Sequence, residues 1–148
     1  MNKLSPYIIS GKKHTDERGE LQFYNDFDMS QIKRIYFTTH PKTRVIRAWQ
    51  GHTIQSRWFC SVQGSFVVKL IKIDNWGKPS DELKVLEYTL TAKKQEILYI
   101  PKGYVNGFKA LKNNSKLMIM SNYGFSEMEN DEIRFDKNKW SKWDNWLE

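Results

Sequence analysis

The sequence contains a single cysteine, Cys60, so no disulfide can form within one chain. Cys60 lies in an apolar stretch with no histidine close to it, which favours a buried structural thiol over a nucleophile. No run of about 18 apolar residues occurs, so we expect no membrane-spanning helix. The first residues lack the apolar stretch of a secretory signal, and we therefore expect a cytoplasmic protein.

The sequence also lacks a basic block. Its net charge is +7, from 24 Lys and Arg against 17 Asp and Glu, but the lysines are spread along the chain with acids between them. Nucleic-acid-binding domains cluster their basic residues, so nucleic acid is not an expected partner. Two interpretations of the charge remain, a solvated lysine-rich surface or a weak positive field that attracts an anionic small ligand such as a nucleotide diphosphate.

Short strand-forming segments are abundant. They are rich in β-branched and aromatic residues and are bounded by turn sequences such as "QG", "NWGKPSD" and "KNNS". Their near-regular spacing predicts an all-β sandwich or barrel, and the length suits one domain over residues 1–148. The nine predicted strands are 20–25, 32–39, 44–50, 56–62, 65–74, 83–90, 96–101, 104–111 and 116–123.

The last segment, residues 124–148, differs in character. It is polar and carries Trp140, Trp143 and Trp146 at a spacing of three, which places the indoles roughly along one face of a short helix or 3-10 turn. Base-stacking platforms alternate aromatic and basic residues on strands, whereas these tryptophans stand beside acids at a terminus. We therefore expect a tail that packs on the barrel.

The stretch "RAWQGHTIQSRWFCSVQGS", residues 47–65, reads as two apolar strands around a polar turn. Such strand pairs often carry a metal site made of His-x-His and a glutamate, and here those positions hold Gln50, His52 and Arg57. Arginine places a cation where a metal needs an anionic ligand, so we expect no metal. Gln50 and His52 are two residues apart on one strand and should face the same side.

Five motifs in order resemble the cupin jelly roll of sugar-nucleotide enzymes, namely the dTDP-4-dehydrorhamnose 3,5-epimerases and the FdtA/WxcM-like dTDP-4-keto-6-deoxyglucose 3,4-ketoisomerases. "DERGEL" is similar to an Asp-x-Arg-Gly turn of both, "KRIYF" to a ketoisomerase strand, and "RAWQGH" to Arg-Gly-x-His-x-His. "IPKGYVNGF" is similar to the epimerase's Ile-Pro-x-Gly-Phe-x-His-Gly-Phe, and "NDEIRFD" to the ketoisomerase's closing Asp-Tyr-Ile-Arg. The resemblance spans almost the whole chain. It implies a jelly roll without a cofactor and a homodimer, since relatives exchange an N-terminal strand.

The resemblance implies metal-free proton transfer on a dTDP-linked 4-keto-6-deoxyhexose, in the synthesis of surface polysaccharides such as lipopolysaccharide O-antigen. A base removes a proton beside the carbonyl, an enediol(ate) forms, and a proton returns on another face or carbon. His52 matches the second histidine of the family motif and is the expected base. Arg57 is expected to hold the enolate oxygen. Tyr104 and Tyr36 are the nearest candidates for an acid, although tyrosines on barrel strands are often core residues.

The expected substrate contacts are Arg18, Arg47, Gln50, Asn106 and Tyr36. In the relatives such arginines face the diphosphate or the sugar, sometimes across a dimer, and a guanidinium suits this through its bidentate fork. For Arg18, an ion pair with a neighbouring acid is an equal alternative. Gln50 and Asn106 replace histidines of the relatives, and their amides can bind sugar hydroxyls but cannot abstract a proton.

The missing proton-handling groups leave a second function open. Gln50 and Asn106 stand in place of histidines, and the epimerase's tyrosine falls near Met118. The barrel could therefore have kept a sugar-nucleotide pocket and lost turnover. We expect an isomerase, like either the epimerases or the ketoisomerases, with a binding protein as the alternative. A nucleic-acid binder, which would show steep salt dependence, ranks last.

Overall fold

The computed structural model describes residues 4–128 and 130–143, and the chain forms a sandwich of two five-stranded antiparallel sheets. The all-β jelly-roll prediction is confirmed. None of the helices in the described ranges is long and apolar enough to cross a membrane. The strands are β1 Tyr7–Ser10, β2 Lys12–Asp16, β3 Gly19–Phe23, β4 Arg34–His40, β5 Ile46–His52, β6 Arg57–Gln63, β7 Ser65–Lys72, β8 Leu86–Thr91, β9 Glu96–Ile100, β10 Tyr104–Ala110, β11 Ser115–Ser121 and β12 Ile133–Arg134, with a 3-10 helix at Phe125–Met128.

The two sheets are built from strands that are distant in sequence. Sheet I has the order β1-β9-β6-β11-β4, and sheet II has the order β12-β5-β10-β7-β8. The hairpin of β2 and β3, which we call the arm, forms a separate two-stranded sheet. Residues that are far apart in the chain therefore meet inside the sandwich.

All nine predicted segments contain a strand, but the structure has three that the sequence did not predict: β1, β2 and β12. Strand β2, "KKHTD", is mostly exposed on both faces and lacks the apolar alternation that marks a half-buried strand. Strand β12 has only two residues, so it carries no periodicity at all. Its pairing with β5 is nevertheless what brings the end of the chain to the site.

The main core lies between the sheets. Its members include Phe66, Val68 and Leu70, which alternate along β7 and are fully buried. The intervening residues Val67 and Ile71 point to the other face of sheet II and are also fully buried. Strand β7 is thus covered on both faces, which explains its nearly unbroken apolar run. Each such aliphatic side chain stabilises the fold by about 1.5–3 kcal/mol through burial.

The C-terminal segment supplies the cover on the outer face of sheet II. The rings of Trp140 and Trp143 lie 5.8 and 5.5 Å from that of Trp49 on β5. The indole N–H of Trp49 donates to the backbone carbonyl of Lys139 at 2.7 Å, and this hydrogen bond holds the segment against the sheet. Buried tryptophans pack in this way when the indole N–H finds an acceptor. Trp146, the third tryptophan of the predicted face, lies outside the described residues.

Candidate functional site

A cavity of about 850 Å³ opens between the two sheets. Its size is in the range of small-molecule sites, which run from about 300 to 1,000 Å³. Four residues singled out in the sequence line it: Tyr36 on β4, and Arg47, Gln50 and His52 on β5. The alternation of a strand explains why Gln50 and His52 share this face. The cavity is therefore the candidate active site.

The cavity wall carries an excess of positive charge. Arg34, Arg47 and Arg134 line it, and Glu132 is the only acid among its described lining residues. Glu132 is already paired, because the guanidinium of Arg134 lies 2.9 Å from its carboxylate. The other two arginines have no salt bridge within the described ranges. Such a wall suits a ligand that carries several negative charges.

His52 is buried and held by the segment before β12. Its Nδ1 lies 2.9 Å from the backbone carbonyl of Asp131 and 2.8 Å from Nε2 of Gln55, whose Oε1 accepts from the Ser121 hydroxyl. A carbonyl can only accept, whereas the oxygen and nitrogen of a side-chain amide can exchange places, so the carbonyl decides the tautomer and Nδ1 carries the hydrogen. The lone pair is then on Nε2, which is buried and has no partner in the described part of the chain.

The Asp131 carboxylate organises the turn that follows His52. It accepts from the backbone N–H groups of Thr53, Ile54 and Gln55 at 2.7, 2.9 and 3.0 Å, and from the Thr53 hydroxyl at 2.9 Å. These bonds satisfy a buried carboxylate with only 1% of its residue exposed. Asp131 was quoted in the motif "NDEIRFD" but was not predicted as a site residue, because the sequence does not reveal that it meets a turn 78 positions earlier.

Burial and, after it, the positive charge of Arg57 lower the pKa of His52 to about 3, although the hydrogen bond to Asp131 acts in the opposite direction. Desolvation disfavours the imidazolium, so the ring is neutral at physiological pH. A neutral ring with a free Nε2 lone pair is a proton acceptor. The role of His52 as a base stays a prediction.

Arg57 lies behind the cavity wall rather than on it. It is 2% exposed, donates to the hydroxyl of Tyr36 at 2.9 Å, and also donates to the side-chain oxygen of Asn106. Burial lowers the pKa of its guanidinium. Tyr36 itself faces the cavity with the guanidinium of Arg34 4.3 Å from its ring centre. Arg57 thus reaches the cavity through the phenol of Tyr36.

His40 supports Arg47 in a comparable way. Arg47 donates from Nε to Nε2 of His40 at 3.1 Å, and His40 is 1% exposed. Burial, followed by the charge of Arg47, lowers the pKa of His40 to about 4, so the imidazole stays neutral and can accept. No sequence pattern indicates this role, because "TTHPK" reads as a polar loop, whereas the structure places His40 at the buried end of β4.

Besides Arg57 and Asn106, two more expected residues lie away from the cavity lining. Tyr104 packs in the apolar core, where burial, followed by the charge of Tyr88, raises its pKa. Arg18 lies between the arm's strands, exposed, with a 2.6 Å ion pair to Asp16. That pairing is the alternative stated for Arg18 from the sequence. Met118, near the place of the epimerase's tyrosine, packs against the outer face of sheet I.

The amides of the site face one another across sheet II. Asn106 on β10 is paired in register with Gln50 on β5, so both point into the sandwich. Asn106 is buried beside Arg57, while Gln50 lines the cavity and donates to the carboxylate of Glu132. Neither Glu132 nor Arg134 was predicted as a site residue, although both stand in the motif "NDEIRFD". Among the described residues, no three His, Cys, Asp or Glu side chains cluster as metal ligands would.

Fold and site together define a jelly-roll protein with a buried histidine in an arginine-lined cavity. Residues 5–141 match the model of the family described as FdtA, WxcM-like, C-terminal, and the chain belongs to this family. The comparison with curated proteins found no match.

Solved structures with the same fold include enzymes of two kinds. The chain is similar to dTDP-4-dehydrorhamnose 3,5-epimerase from Bacillus anthracis, solved with TDP and PPi, at 15% identity and a TM-score of 0.76 over 93% of this chain and 82% of that one. It is also similar to a 3,4-ketoisomerase from Helicobacter canadensis, at 20% identity and a TM-score of 0.69 over 97% and 96%.

A third similar structure is a histidine-to-asparagine variant of the 3,4-ketoisomerase from Thermoanaerobacterium thermosaccharolyticum, in complex with TDP-4-keto-6-deoxyglucose. The identity is 24% and the TM-score 0.65, over 88% of this chain and 87% of that one.

Proposed function

We propose that the protein is a sugar-nucleotide isomerase that acts on a dTDP-linked 4-keto-6-deoxyhexose, in the synthesis of surface polysaccharides such as lipopolysaccharide O-antigen. The observation that carries the proposal is the free Nε2 of His52, neutral and buried, in a cationic cavity. The similar ketoisomerase complex with TDP-4-keto-6-deoxyglucose supports the choice of substrate.

The arginines account for the nucleotide part of this substrate. A diphosphate carries charges that guanidinium groups bind in a bidentate manner. Arg47 is suited to this because His40 occupies its Nε and leaves its two terminal nitrogens available to a ligand. Arg34, stacked on Tyr36, supplies a second cation on the same wall. We assign the diphosphate to these two arginines.

The sugar then lies against His52. Nε2 removes the proton at C3, beside the C4 carbonyl, and negative charge develops on the carbonyl oxygen. The hydroxyl of Tyr36 is the donor assigned to that oxygen, and Arg57 strengthens it by donating to the phenol oxygen. Gln50 orients sugar hydroxyls from the same wall, and Asn106 holds Arg57 in place. The sugar's own carbonyl takes up the electrons.

The test is an NMR experiment in deuterated buffer with dTDP-4-keto-6-deoxyglucose. The wild type should exchange the C3 proton, and His52→Asn should slow the exchange about 100-fold or more while dTDP still gives saturation transfer. His14→Asn replaces an exposed histidine of the arm and serves as the matched control. Full exchange by His52→Asn would refute the assignment of the base. Binding without exchange by the wild type would instead favour a sugar-nucleotide-binding protein without turnover.

We also propose that two copies of the chain associate. The arm projects with most of its residues exposed on both faces, and Leu21 on it is 62% exposed. Strand β4 is the edge of sheet I, so one side of its backbone is open to a further strand. Its outward residues Ile35 and Phe37 are 52% and 54% exposed. A second copy that covers this face would bury them.

A further inference from the structure

Moving a carbonyl from C4 to C3 requires two kinds of proton transfer. One proton moves between carbons, from C3 to C4, and another moves between oxygens, from the C3 hydroxyl to the C4 oxygen. A C3 epimerisation needs only transfers at carbon, because its carbonyl stays in place. His52 accounts for the carbon proton. Gln50, next to it on the same face, cannot carry a proton, and the Tyr36 hydroxyl is the hydrogen-bond donor assigned to the C4 oxygen. A ketoisomerase with this cavity therefore needs another group that accepts the proton of the C3 hydroxyl.

Glu132 is the group that the cavity offers. It is the one carboxylate among the described lining residues, and it lies on the same wall as His52. In the β5–β12 register, Ile133 pairs with Gly51 and Arg134 with Gln50. One step further along this antiparallel register lies Glu132 beside His52. The adjacent residue, Asp131, confirms this proximity because its carbonyl binds the His52 ring.

The Glu132 carboxylate is held at both oxygens. Gln50 donates to Oε1, and Arg134 donates from Nε to Oε2 at 3.0 Å. Gln50, which stands where the relatives have a histidine, therefore orients the carboxylate of Glu132. Oε2 also lies 2.9 Å from Nη2 of Arg134, whereas Oε1 accepts only from Gln50 among the described residues and has a second lone pair that can meet a sugar hydroxyl. Half of the Glu132 side chain is exposed to the cavity side or to solvent, so a ligand can reach it.

We propose that Glu132 relays the hydroxyl proton between the C3 and C4 oxygens, which makes the protein a 3,4-ketoisomerase rather than an epimerase. This inference rests on the proposed function. Gln50 and Arg134 are positioning residues for the carboxylate, and Glu132 is the catalytic residue.

Over the full reaction, every proton that His52 or Glu132 accepts from the sugar is returned to it. Neutral His52 takes the C3 proton, and the C3–H electrons form the C3–C4 double bond while the C4 oxygen becomes an oxyanion. Ionised Glu132 accepts the C3 hydroxyl proton and gives it to the C4 oxyanion, which moves the negative charge to the C3 oxygen. The C3 carbonyl then forms as protonated His52 returns its proton to C4. His52 ends neutral and Glu132 ends ionised, as they began.

Glu132→Gln tests the relay because it removes the proton acceptor and keeps the shape. With dTDP-4-keto-6-deoxyglucose in deuterated buffer, two rates are followed by NMR: deuterium entry at C3 and appearance of the isomer with its carbonyl at C3. The variant should keep C3 exchange within about threefold of wild type and lose isomer formation about 100-fold or more. Glu132→Asp should restore part of the isomer formation. Glu82→Gln, at an exposed position, is the matched control.

The outcomes separate this inference from the proposed function. Isomer formation by Glu132→Gln at the wild-type rate would overturn the relay while leaving His52 and the isomerase assignment intact. A wild type that exchanges C3 but yields only an epimer would also overturn it, with the broader function still standing. A wild type with no exchange at all would overturn the proposed function and the relay with it. Loss of isomer with retained exchange supports both.

Discussion

At the scale of single residues, burial sets the charge state of the groups that matter. His52 and His40 are both in the sandwich interior, with 5% and 1% of the residue exposed. Each is kept neutral for a different purpose, His52 to accept a proton from a ligand and His40 to accept a hydrogen bond from Arg47. A guanidinium close to each one reinforces the effect of desolvation. The positive cavity thus favours neutral imidazoles at its wall.

The same burial predicts acid sensitivity of the fold. The folded-state pKa values of about 3 for His52 and about 4 for His40 lie below the ordinary value of 6.5. The unfolded chain therefore binds more protons below pH 6.5. The stability that the neutral histidines contribute is complete above pH 6.5 and decreases as the pH falls toward 4. Each histidine should lower the free energy of unfolding by about 2–3 kcal/mol between pH 7 and pH 4.5. Urea unfolding at the two pH values measures this loss.

Variants separate the histidines from the carboxylates that also titrate on acidification. His40→Gln keeps a hydrogen-bond acceptor for Arg47 but does not titrate. Between pH 7 and pH 4.5 its free energy of unfolding should therefore fall by about 2–3 kcal/mol less than that of the wild type, which is the contribution of one histidine. His52→Asn should show the same reduction. If both variants lost as much stability as the wild type over this interval, the buried histidines would not be its source.

The sequence predicts the residues of the site where a motif contains them, as it does for Tyr36 on β4 and for two residues of β5. Gln50 and His52 are two apart on β5, and their shared face follows from strand geometry alone. Asp131 reaches the same histidine, and Glu132 the same cavity, from the other end of the chain, through a pairing of β12 with β5 that spans only two register positions. No local pattern encodes that contact, because it depends on how the C-terminal segment crosses the sheet.

At the scale of elements, the C-terminal segment packs on the outer face of sheet II, opposite the face that lines the cavity, and so supports the strands that carry the site. Strand β5 carries cavity residues on its inner face and Trp49 on its outer face. Its neighbour β10 has Gly107 where Trp143 of the segment packs. A Cβ there would stand 2.7 Å from the Cβ of Ala48 and 2.8 Å from the ring of Trp143. The sequence predicted these strands but could not show that the glycine makes room for an indole.

Gly107→Ala should therefore destabilise the fold. Neither the methyl group of Ala48 nor the indole packed above it can move away freely, so we expect a loss of about 1–3 kcal/mol in the free energy of unfolding, measured by urea denaturation. Gly77→Ala is the control, because a Cβ added there would stand 3.5 Å from the side-chain oxygen of Asn75 in the same loop, which is an ordinary van der Waals contact. Equal stability of the two variants would contradict the close packing of the segment.

At the scale of the whole molecule, the two outer faces of the sandwich differ in how much of their apolar surface is covered. The outer face of sheet II is covered by the chain's own C-terminal segment. The outer face of sheet I is covered only in part, by Tyr24, Phe27 and Ile32 against Trp58 and its neighbours. No described strand pairs with the free edge of β4. The C-terminal segment covers the apolar outer face of sheet II, whereas part of the apolar outer face of sheet I is exposed. This asymmetry is consistent with association through the exposed face of sheet I.

The proposed dimer predicts that one charge on this face abolishes association. Phe37 stands across from Met118, which stands across from Cys60, so an apolar row crosses three strands and ends at the exposed edge. Phe37→Glu should shift the protein from twice the 17.7 kDa chain mass to a single chain in sedimentation equilibrium. Because the ring is 54% exposed within one chain, the stability of the monomer should change little.

Val45→Glu supplies the control for this experiment, since Val45 is 41% exposed but lies in the turn before β5, away from the row on sheet I. It should leave the mass at that of the dimer. A wild type that sediments as one chain at all concentrations would contradict the dimer. A Phe37→Glu protein that stays dimeric would place the interface elsewhere, and the exposed arm would be the next surface to alter. Loss of the dimer with an unchanged unfolding curve would show that the open face of sheet I serves association rather than folding.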